Sequence, residues 1–179
     1  LVVAALAGAV WVALPVWLKL HFGVIEVIST LLLTFVAHLL VSLMVLGPLQ
    51  ERGHIYPQSD PIPESARLPL LAGTRLHAGF LLAIILALAL WFLFARTLWG
   101  FHLRAVGVGP RASEVSGRID SQRIGAIALF ISGAIAGLAG GVEVSGVSYA
   151  LFPNLSPGYG FTAIAVALPG MSRRRAPTA

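Results

Sequence analysis

Few residues of this chain combine a polar side chain with a spacing suited to chemistry, and three of them share one helical face. Thr34, His38 and Ser42 recur every four residues inside an otherwise apolar stretch, so a helix would place them in one row. An imidazole and two hydroxyls can hydrogen-bond a polar solute that crosses a membrane. The same row can instead hydrogen-bond a neighbouring helix, so a translocation path and a structural contact both stay open.

An acid and two aromatic residues are further candidates for contact with a solute. Glu143 follows a glycine-rich apolar stretch, and Tyr159 and Phe161 lie in the segment SPGYGFTAIAVAL. The acid would line an entrance, and the rings would stack on a planar base or on the apolar face of a sugar. A solvated interfacial acid and an aromatic belt at the membrane surface are the competing interpretations.

Motifs for enzymatic chemistry are missing from the sequence. The chain has no cysteine, which excludes thiol nucleophiles and thiolate metal sites. Neither an HExxH metal motif nor a GxxxxGK[ST] phosphate loop occurs. We therefore expect a chain that is not an enzyme, binds no metal or cofactor, and does not hydrolyse ATP itself.

The elements that must position these residues are membrane spans, as the composition indicates. Hydrophobic residues make up 58% of the chain and charged residues 11%, with a mean hydropathy of +0.90. So few charges cannot cover a soluble globule of this size. The net charge of +5 comes from basic residues scattered over loops, so it indicates membrane orientation rather than nucleic-acid binding.

Four apolar stretches are long enough to cross a bilayer, which takes about 20 residues. We expect an all-α polytopic transmembrane bundle in which residues 1–170 form a partial membrane domain. The expected spans are residues 1–18, 27–46, 78–95 and 124–142, with the start of a truncated fifth at 161–170. Trp11 and Trp17 are assigned to the end of the first span as interfacial anchors.

The distribution of basic residues predicts which loops face the cytoplasm. Residues 47–77 hold three arginines, whereas the other side of the bundle holds six basic residues: Lys19, Arg96, Arg104, Arg111, Arg118 and Arg123. The excess of basic residues on cytoplasmic loops therefore predicts that residues 47–77 are an external loop and that residues 96–123 are cytoplasmic.

Small residues recur every four positions along the fourth span in two neighbouring rows. The glycine row consists of Gly133, Gly137 and Gly141, and the second row consists of Ser132, Ala136 and Gly140. Small residues at this spacing let another helix approach closely, so we expect both rows to form a helix-packing face. A neighbour within the chain and a neighbour in a second subunit both stay open.

The segment RAVGVGPRASEVSGRID, residues 104–120, is a charged stretch between two apolar spans. We expect Gly107, Gly109 and Pro110 to break structure there, and Ser113 to cap a short surface helix that ends at Gly117. A plain basic connector between two spans explains the same composition, and both interpretations stay open.

Several stretches together resemble the permease subunits of bacterial ATP-binding-cassette importers. They are FGVIEVISTLLL (22–33), GPLQ (47–50), PIPESARLP (61–69), LWGFHLRAVGVGPRASEVSGRID (98–120), FISGAIAGLAGGVEVSGV (130–147) and SPGYGFTAIAVAL (156–168). The chain is similar in particular to the branch that moves nucleosides and simple sugars, which is related to the ribose and branched-chain amino acid permeases.

In that family the pattern R-A-x-G-x-x-P-x-A lies in a cytoplasmic loop and contributes the coupling helix that docks on the ATPase subunit. The resemblance assigns this helix to residues 112–117. It assigns ATPase coupling to the motif positions Arg104, Ala105, Gly107, Pro110, Ala112 and Gly117. Glu114 lies in the expected helix, and Arg111 and Arg118 would pair with acids of the ATPase or, alternatively, contact anionic lipid head groups. The chain departs from the family at Gly109, where relatives usually have Asn before the proline.

The resemblance also implies the partners and the location. The partners would be a cytoplasmic ATPase subunit that uses ATP, a second permease subunit, an extracytoplasmic substrate-binding protein and membrane lipid, with no nucleic acid. The location would be the bacterial inner membrane, crossed several times. Nucleosides are the first choice of substrate and simple sugars the second. The alternative is a secondary transporter or channel for small polar solutes that is not coupled to an ATPase.

Both ends of the sequence differ from what this family leads us to expect. The chain begins at Leu1 inside an apolar run, which suggests an internal piece of a longer protein. Residues 171–179 are expected to form an atypical tail, because Pro169 should interrupt the last helix and three arginines follow it.

Overall fold

Six α-helices make up most of the described structure. The computed structural model describes residues 1–70, 76–110, 113, 120–156 and 158–173. The helices are α1 (Val2–Phe22), α2 (Glu26–Leu46), α3 (Ala78–Arg96), α4 (Leu98–Val108), α5 (Ser121–Glu143) and α6 (Tyr159–Arg173). A 3₁₀ turn at Glu64–Ala66 and a π-helical turn at Val144–Ser148 accompany them, and these described ranges contain no strand.

Four of the described helices are long and apolar enough to cross a membrane: α1, α2, α3, and α5 together with its π-helical turn. The prediction of an all-α polytopic bundle is therefore confirmed. The first helix extends past the expected span to Phe22, because Lys19 can keep its ammonium at the surface while its backbone stays helical. Trp11 consequently lies midway along α1, and its assignment to the interfacial end of the span is wrong.

A glycine sets the tight turn between α1 and α2. Gly23 has a left-handed φ of 64°, and its N–H donates to the Lys19 carbonyl oxygen at 3.1 Å. This is the helix ending that favours glycine, because a side chain there would be strained. Lys19 and Glu26 form an ion pair across the turn. Each charge is also opposite in sign to the partial charge of its own helix end, which is favourable.

The most extensive helix contact joins α1 to α5 through the glycine row. A methyl group added to Gly137 would overlap the carbonyl oxygen of Ala4, and one added to Gly133 would lie 2.8 Å from that of Gly8. The two backbones therefore touch, which only glycine permits at these positions.

The second row on α5 has no such contact. Ser132, Ala136 and Gly140 are exposed, and nothing lies within 4 Å of the position that a Gly140 Cβ would occupy. Of the two rows on α5, α1 therefore contacts the glycine row within the described part of the chain.

Residues 47–70 fold over one end of the bundle, which we call the loop end. Three backbone N–H groups of this loop donate to carbonyl oxygens of the segment after α5, at 2.8 to 3.0 Å: Ser59 to Leu151, Ile62 to Tyr149 and Leu68 to Ser145. The Arg67 guanidinium lies 4.8 Å from the centre of the Tyr149 ring. These bonds satisfy the backbone of an irregular, proline-rich loop that has no ladder of its own.

At the opposite end of the bundle, α4 folds back sharply from α3. The Thr97 hydroxyl accepts from the Gly100 N–H at 3.2 Å and donates to the Leu93 carbonyl oxygen at 2.5 Å. Gly100 is buried, and a methyl group added there would come 2.6 Å from Phe94 Cα. The expectation that Gly107 breaks structure is wrong, since α4 continues through it to Val108. A single glycine weakens a helix by only about 1 kcal/mol.

The helical turn after α4 begins at Pro110 and not at Ser113. Proline suits the first helical position, because the N–H that it lacks has no partner there. The N–H and the hydroxyl of Ser113 both donate to the Gly109 carbonyl oxygen at 3.0 Å. Ser113 thus lies inside a helical turn, and its expected role as a helix cap is wrong. The rest of the expected coupling helix, residues 112 and 114–117, lies outside the described residues.

The last described helix also departs from the sequence-based expectation. Helix α6 begins at Tyr159 and continues through Pro169 to Arg173, so the expectation that this proline interrupts the helix is wrong. Membrane helices tolerate an internal proline when local adjustments satisfy the one carbonyl that loses its bond.

Candidate translocation cavity

A cavity of about 320 Å³ lies between α1, α2 and the segment that follows the π-helical turn. Its size is at the lower end of the range for small-molecule sites, roughly 300 to 1,000 Å³. We call it the central cavity. It is lined by Trp11 from α1, by Thr34, Ala37, His38 and Val41 from α2, and by Pro153, Leu155 and Ser156.

The central cavity lies at the middle depth of the bundle, because Trp11 is midway along α1 and His38 midway along α2. The segment 153–156 reaches this depth from the loop end, where the Leu151 N–H is bonded to the Ser59 hydroxyl at 2.9 Å. It does so without forming a helix. Non-helical backbone at membrane depth is tolerated where it is buried in protein or lines a water-filled cavity.

Three polar side chains line the central cavity: Thr34, His38 and Ser156. The Thr34 hydroxyl donates to the Thr30 carbonyl oxygen at 3.0 Å, so its own oxygen can still accept. Within the described residues, no hydrogen bond occupies the His38 ring or the Ser156 hydroxyl. No Lys, Arg, Asp or Glu lines the cavity. The arrangement can therefore hydrogen-bond an uncharged solute but offers no charged group to pair with an ion.

The structure brings together two of the six residues predicted for a solute path. Thr34 and His38 line the central cavity, and the other four lie outside its lining: Ser42, Glu143, Tyr159 and Phe161. Glu143 ends α5, where its carbonyl oxygen accepts from the Ser148 hydroxyl at 3.2 Å. Tyr159 and Phe161 are 55% and 66% exposed, on a helix that begins after the cavity-lining segment.

The predicted set omitted Trp11, Pro153 and Ser156. Trp11 was omitted because tryptophans in membrane proteins usually lie at the membrane surface. The expected end of the first span at residue 18 also placed Trp11 near that surface. The signal for the other two was present in the stretch FPNLSPG. Two prolines and two polar residues shortly after the fourth span predict irregular backbone at the membrane.

The residues predicted for ATPase coupling lie at the end of the bundle opposite the loop end, as far as the structure describes them. The Arg104 Nε donates to the Gly100 carbonyl oxygen at 3.2 Å, within α4. The Pro110 carbonyl oxygen accepts from the Ser121 hydroxyl at 3.0 Å, which ties the turn after α4 to the start of α5. Five of the predicted positions lie outside the described residues: Arg111, Ala112, Glu114, Gly117 and Arg118.

A second cavity, of about 420 Å³, lies at this same end beside the Lys19 and Glu26 ion pair. Gln122, in the first turn of α5, also lines it. The charges of the α1–α2 turn are therefore kept at the end of the bundle, away from its middle. In the described ranges no group of three His, Asp or Glu side chains is placed to hold a metal ion.

Four helices that are long and apolar enough to cross a membrane, with a cavity at their middle depth, define a polytopic membrane protein. Over residues 1–177 the chain matches the family described as branched-chain amino acid transport system / permease component. The chain therefore belongs to this permease family, and the earlier resemblance is confirmed.

Three relatives illustrate the range of this family. The chain is 35% identical over 178 residues to a glucose ABC transporter permease of Haloferax volcanii, covering 93% of this chain and 47% of the relative. It is 37% identical over 177 residues to a guanosine ABC transporter permease of Bacillus subtilis, covering 95% and 50%. It is 30% identical over 181 residues to a nucleoside ABC transporter permease of Lactococcus lactis, covering 94% and 49%.

The chain thus spans about half the length of the curated relatives it matches. No solved structure matches it significantly.

Proposed function

We propose that this chain is part of the permease subunit of an ATP-driven importer and forms part of the path for nucleosides or simple sugars. The observation that carries the proposal is its membership of the permease family combined with a cavity at the middle depth of the helices that is lined by apolar residues and three polar ones, without Lys, Arg, Asp or Glu. Relatives named as glucose, guanosine and nucleoside permeases support the substrate class.

The chemistry of the central cavity favours an uncharged substrate. The family description refers to branched-chain amino acids, whose ammonium and carboxylate groups would each need a charged or strongly polar partner inside the membrane. The lining contributed by this chain holds no Lys, Arg, Asp or Glu. Nucleosides and sugars carry hydroxyls, which a histidine, a threonine and a serine can satisfy.

Coupling to ATP hydrolysis would enter at the end of the bundle that carries α4. We infer that this end is cytoplasmic and meets an ATPase subunit, and that the loop end is external and meets a substrate-binding protein. The excess of basic residues at this end supports its cytoplasmic side, and the buried contact of Gly100 with α3 and the bond from Ser121 to Pro110 support its role in coupling. They join the turn after α4 to α3 and α5, so a push on that turn would be passed to both helices.

We further propose that two permease subunits enclose the path in the bacterial inner membrane. Among the described residues, the second row on α5 is exposed, so it remains available to a neighbour. Its small side chains would suit close packing against another helix.

The function is tested by measuring uptake of radiolabelled guanosine and glucose by the assembled transporter in proteoliposomes that contain ATP. We expect uptake to continue when ionophores collapse the proton and sodium gradients, and to stop when ATP is omitted. An ATPase subunit with an inactivated catalytic site is the matched control. Uptake that stops with the gradients while ATP remains would contradict the importer and support a secondary transporter.

The proposed coupling segment has its own test. Glu114→Pro should break a helix over residues 112–117 and abolish uptake while ATP hydrolysis and membrane insertion persist. Glu114→Gln, which keeps the helix, is the matched control. Unchanged uptake in Glu114→Pro would show that the segment is only a connector.

A further inference from the structure

The central cavity is lined by one indole ring and by a few polar side chains, and this combination distinguishes between nucleosides and simple sugars as substrates. Five of its eight lining residues are apolar, and the remaining three, Thr34, His38 and Ser156, carry polar side chains. A hexose carries hydroxyls all around its ring, and three side chains cannot satisfy them all. A nucleoside concentrates three hydroxyls on its ribose and presents the two large apolar faces of a flat base, which suits a mostly apolar lining better. The polar edge of the base would need partners beyond these three side chains.

Trp11 is the only aromatic residue among those lining the described cavity, and it is 40% exposed. An indole presents a broad face that stacks on any nucleobase. Across the cavity, His38 offers both a donor and an acceptor nitrogen, and no hydrogen bond occupies its ring within the described residues.

We infer that the central cavity is a nucleoside-binding site inside the permease, in which Trp11 stacks on the base while His38, Thr34 and Ser156 hydrogen-bond the ribose. This inference rests on the proposed import function. It adds that the membrane subunit itself selects the substrate, in addition to any selection by a binding protein.

The charge of the solute gives the inference a second consequence. The lining that this chain provides has no Lys or Arg to pair with a phosphate. A charged group in the middle of a membrane span is disfavoured by an amount that corresponds to roughly 50-fold or more in affinity. Guanosine monophosphate should therefore bind far more weakly than guanosine, although both carry the same base.

The test is equilibrium binding of radiolabelled guanosine to the assembled transporter in nanodiscs, with the binding protein omitted. Loss of one base–aromatic stack corresponds to roughly a 5- to 150-fold weaker affinity, which we expect for Trp11→Ala. Trp11→Phe keeps an aromatic face and should bind within about threefold of the unaltered protein.

Trp17→Ala is the matched control, because Trp17 is on the same helix with a similar exposure of 49%. Its ring contacts His21 and Phe22 instead of the cavity, at centroid distances of 5.3 and 5.4 Å. Equal affinities of Trp11→Ala and Trp17→Ala would overturn the inference. If Trp11→Ala fails to assemble, the guanosine affinities of His38→Leu and His38→Gln are compared instead. We expect weaker binding by His38→Leu, which cannot hydrogen-bond, and equal affinities of this pair would also overturn the inference.

The outcomes separate the site from the proposed function. ATP-driven guanosine uptake without measurable binding to the nanodisc transporter would reject the site and leave the import function intact. Glucose uptake without any guanosine uptake would reject nucleosides as the substrate and the site with them. Binding of guanosine monophosphate as tight as that of guanosine would overturn the account of the uncharged lining.

Discussion

Helix α1 is packed in contrasting ways at neighbouring positions. Ala4 and Gly8 lie in backbone contact with the glycine row of α5. Trp11, about one turn beyond Gly8, borders an open cavity of about 320 Å³. One helix is therefore held closely against α5 while one of its side chains is free to meet a ligand.

This difference teaches where a membrane protein can accommodate a solute. Lipid supplies no hydrophobic drive between helices, so α1 depends on close contact with α5 to keep its position. With that position fixed, the Trp11 side chain does not have to hold the bundle together. It can instead line a space shared with His38 and the irregular segment 153–156.

The largest expected effect comes from filling the packed face. Gly137→Leu should prevent α1 from docking, because even a methyl group there would overlap the Ala4 carbonyl oxygen. We expect loss of the monodisperse peak of the assembled permease in size-exclusion chromatography. Gly140→Leu, one turn along α5 in the second row, adds the same side chain in open space within this chain. It should keep a monodisperse peak, shifted at most to the size of a single subunit if this row forms the proposed contact between subunits. Loss of every monodisperse peak in both variants would mean that the second row is also tightly packed within the subunit.

A milder change at the end of α3 tests whether other close contacts matter as much. Gly100→Ala would place a methyl group 2.6 Å from Phe94 Cα and should lower the free energy of unfolding by about 1–3 kcal/mol, as overpacking usually does. Gly107→Ala in the same helix meets nothing within 4 Å and should not be destabilising. Reversible unfolding in mixed micelles compares the two, and equal losses would contradict the packing described for α4.

The smallest effect is expected at the charged end of α1. Lys19 and Glu26 form an ion pair whose side chains are 33% and 42% exposed, and such pairs are worth about 0.2–1 kcal/mol. A double-mutant cycle with Lys19→Met and Glu26→Gln should give a coupling energy in that range that falls as salt is added. A larger, salt-insensitive coupling would mean that this end is packed as rigidly as the α5 face.

The four spans could be predicted because their length and hydropathy are properties of single segments. The sequence could not predict that Ser132 is exposed while the adjacent Gly133 is buried. Both residues belong to rows of small residues with the same spacing, and only the position of α1 decides which row is covered. Helix α4 was missed because it is short and interrupted by glycine, and its start depends on the Thr97 cap.

Only part of the lining of the candidate cavity could be predicted, because the rest depends on contacts between segments that are distant in sequence. Thr34 and His38 could be predicted from the helical spacing within one stretch of sequence. Trp11 and Ser156 join them only because α1 and the 153–156 segment meet at the same depth. No local pattern encodes that meeting, which depends on the close contact of α1 with α5 and on the hydrogen bonds that hold Leu151 at the loop end.

The central claim is that the cavity beside Trp11 lies on the solute path, and thiol labelling tests it directly. The sequence holds no cysteine, so this part of the subunit adds no background, and the unaltered assembly treated in the same way gives the background from all other parts. A single Ser156→Cys in the assembled transporter is treated with a membrane-impermeant methanethiosulfonate reagent. Leu39→Cys is the control, because Leu39 is 71% exposed on α2 but does not line the cavity.

We predict rapid modification at position 156, slower modification when guanosine is present, and loss of ATP-driven uptake once the thiol is modified. Modification at position 156 that is no faster than at position 39 and unaffected by guanosine would contradict the claim that solute passes through this cavity.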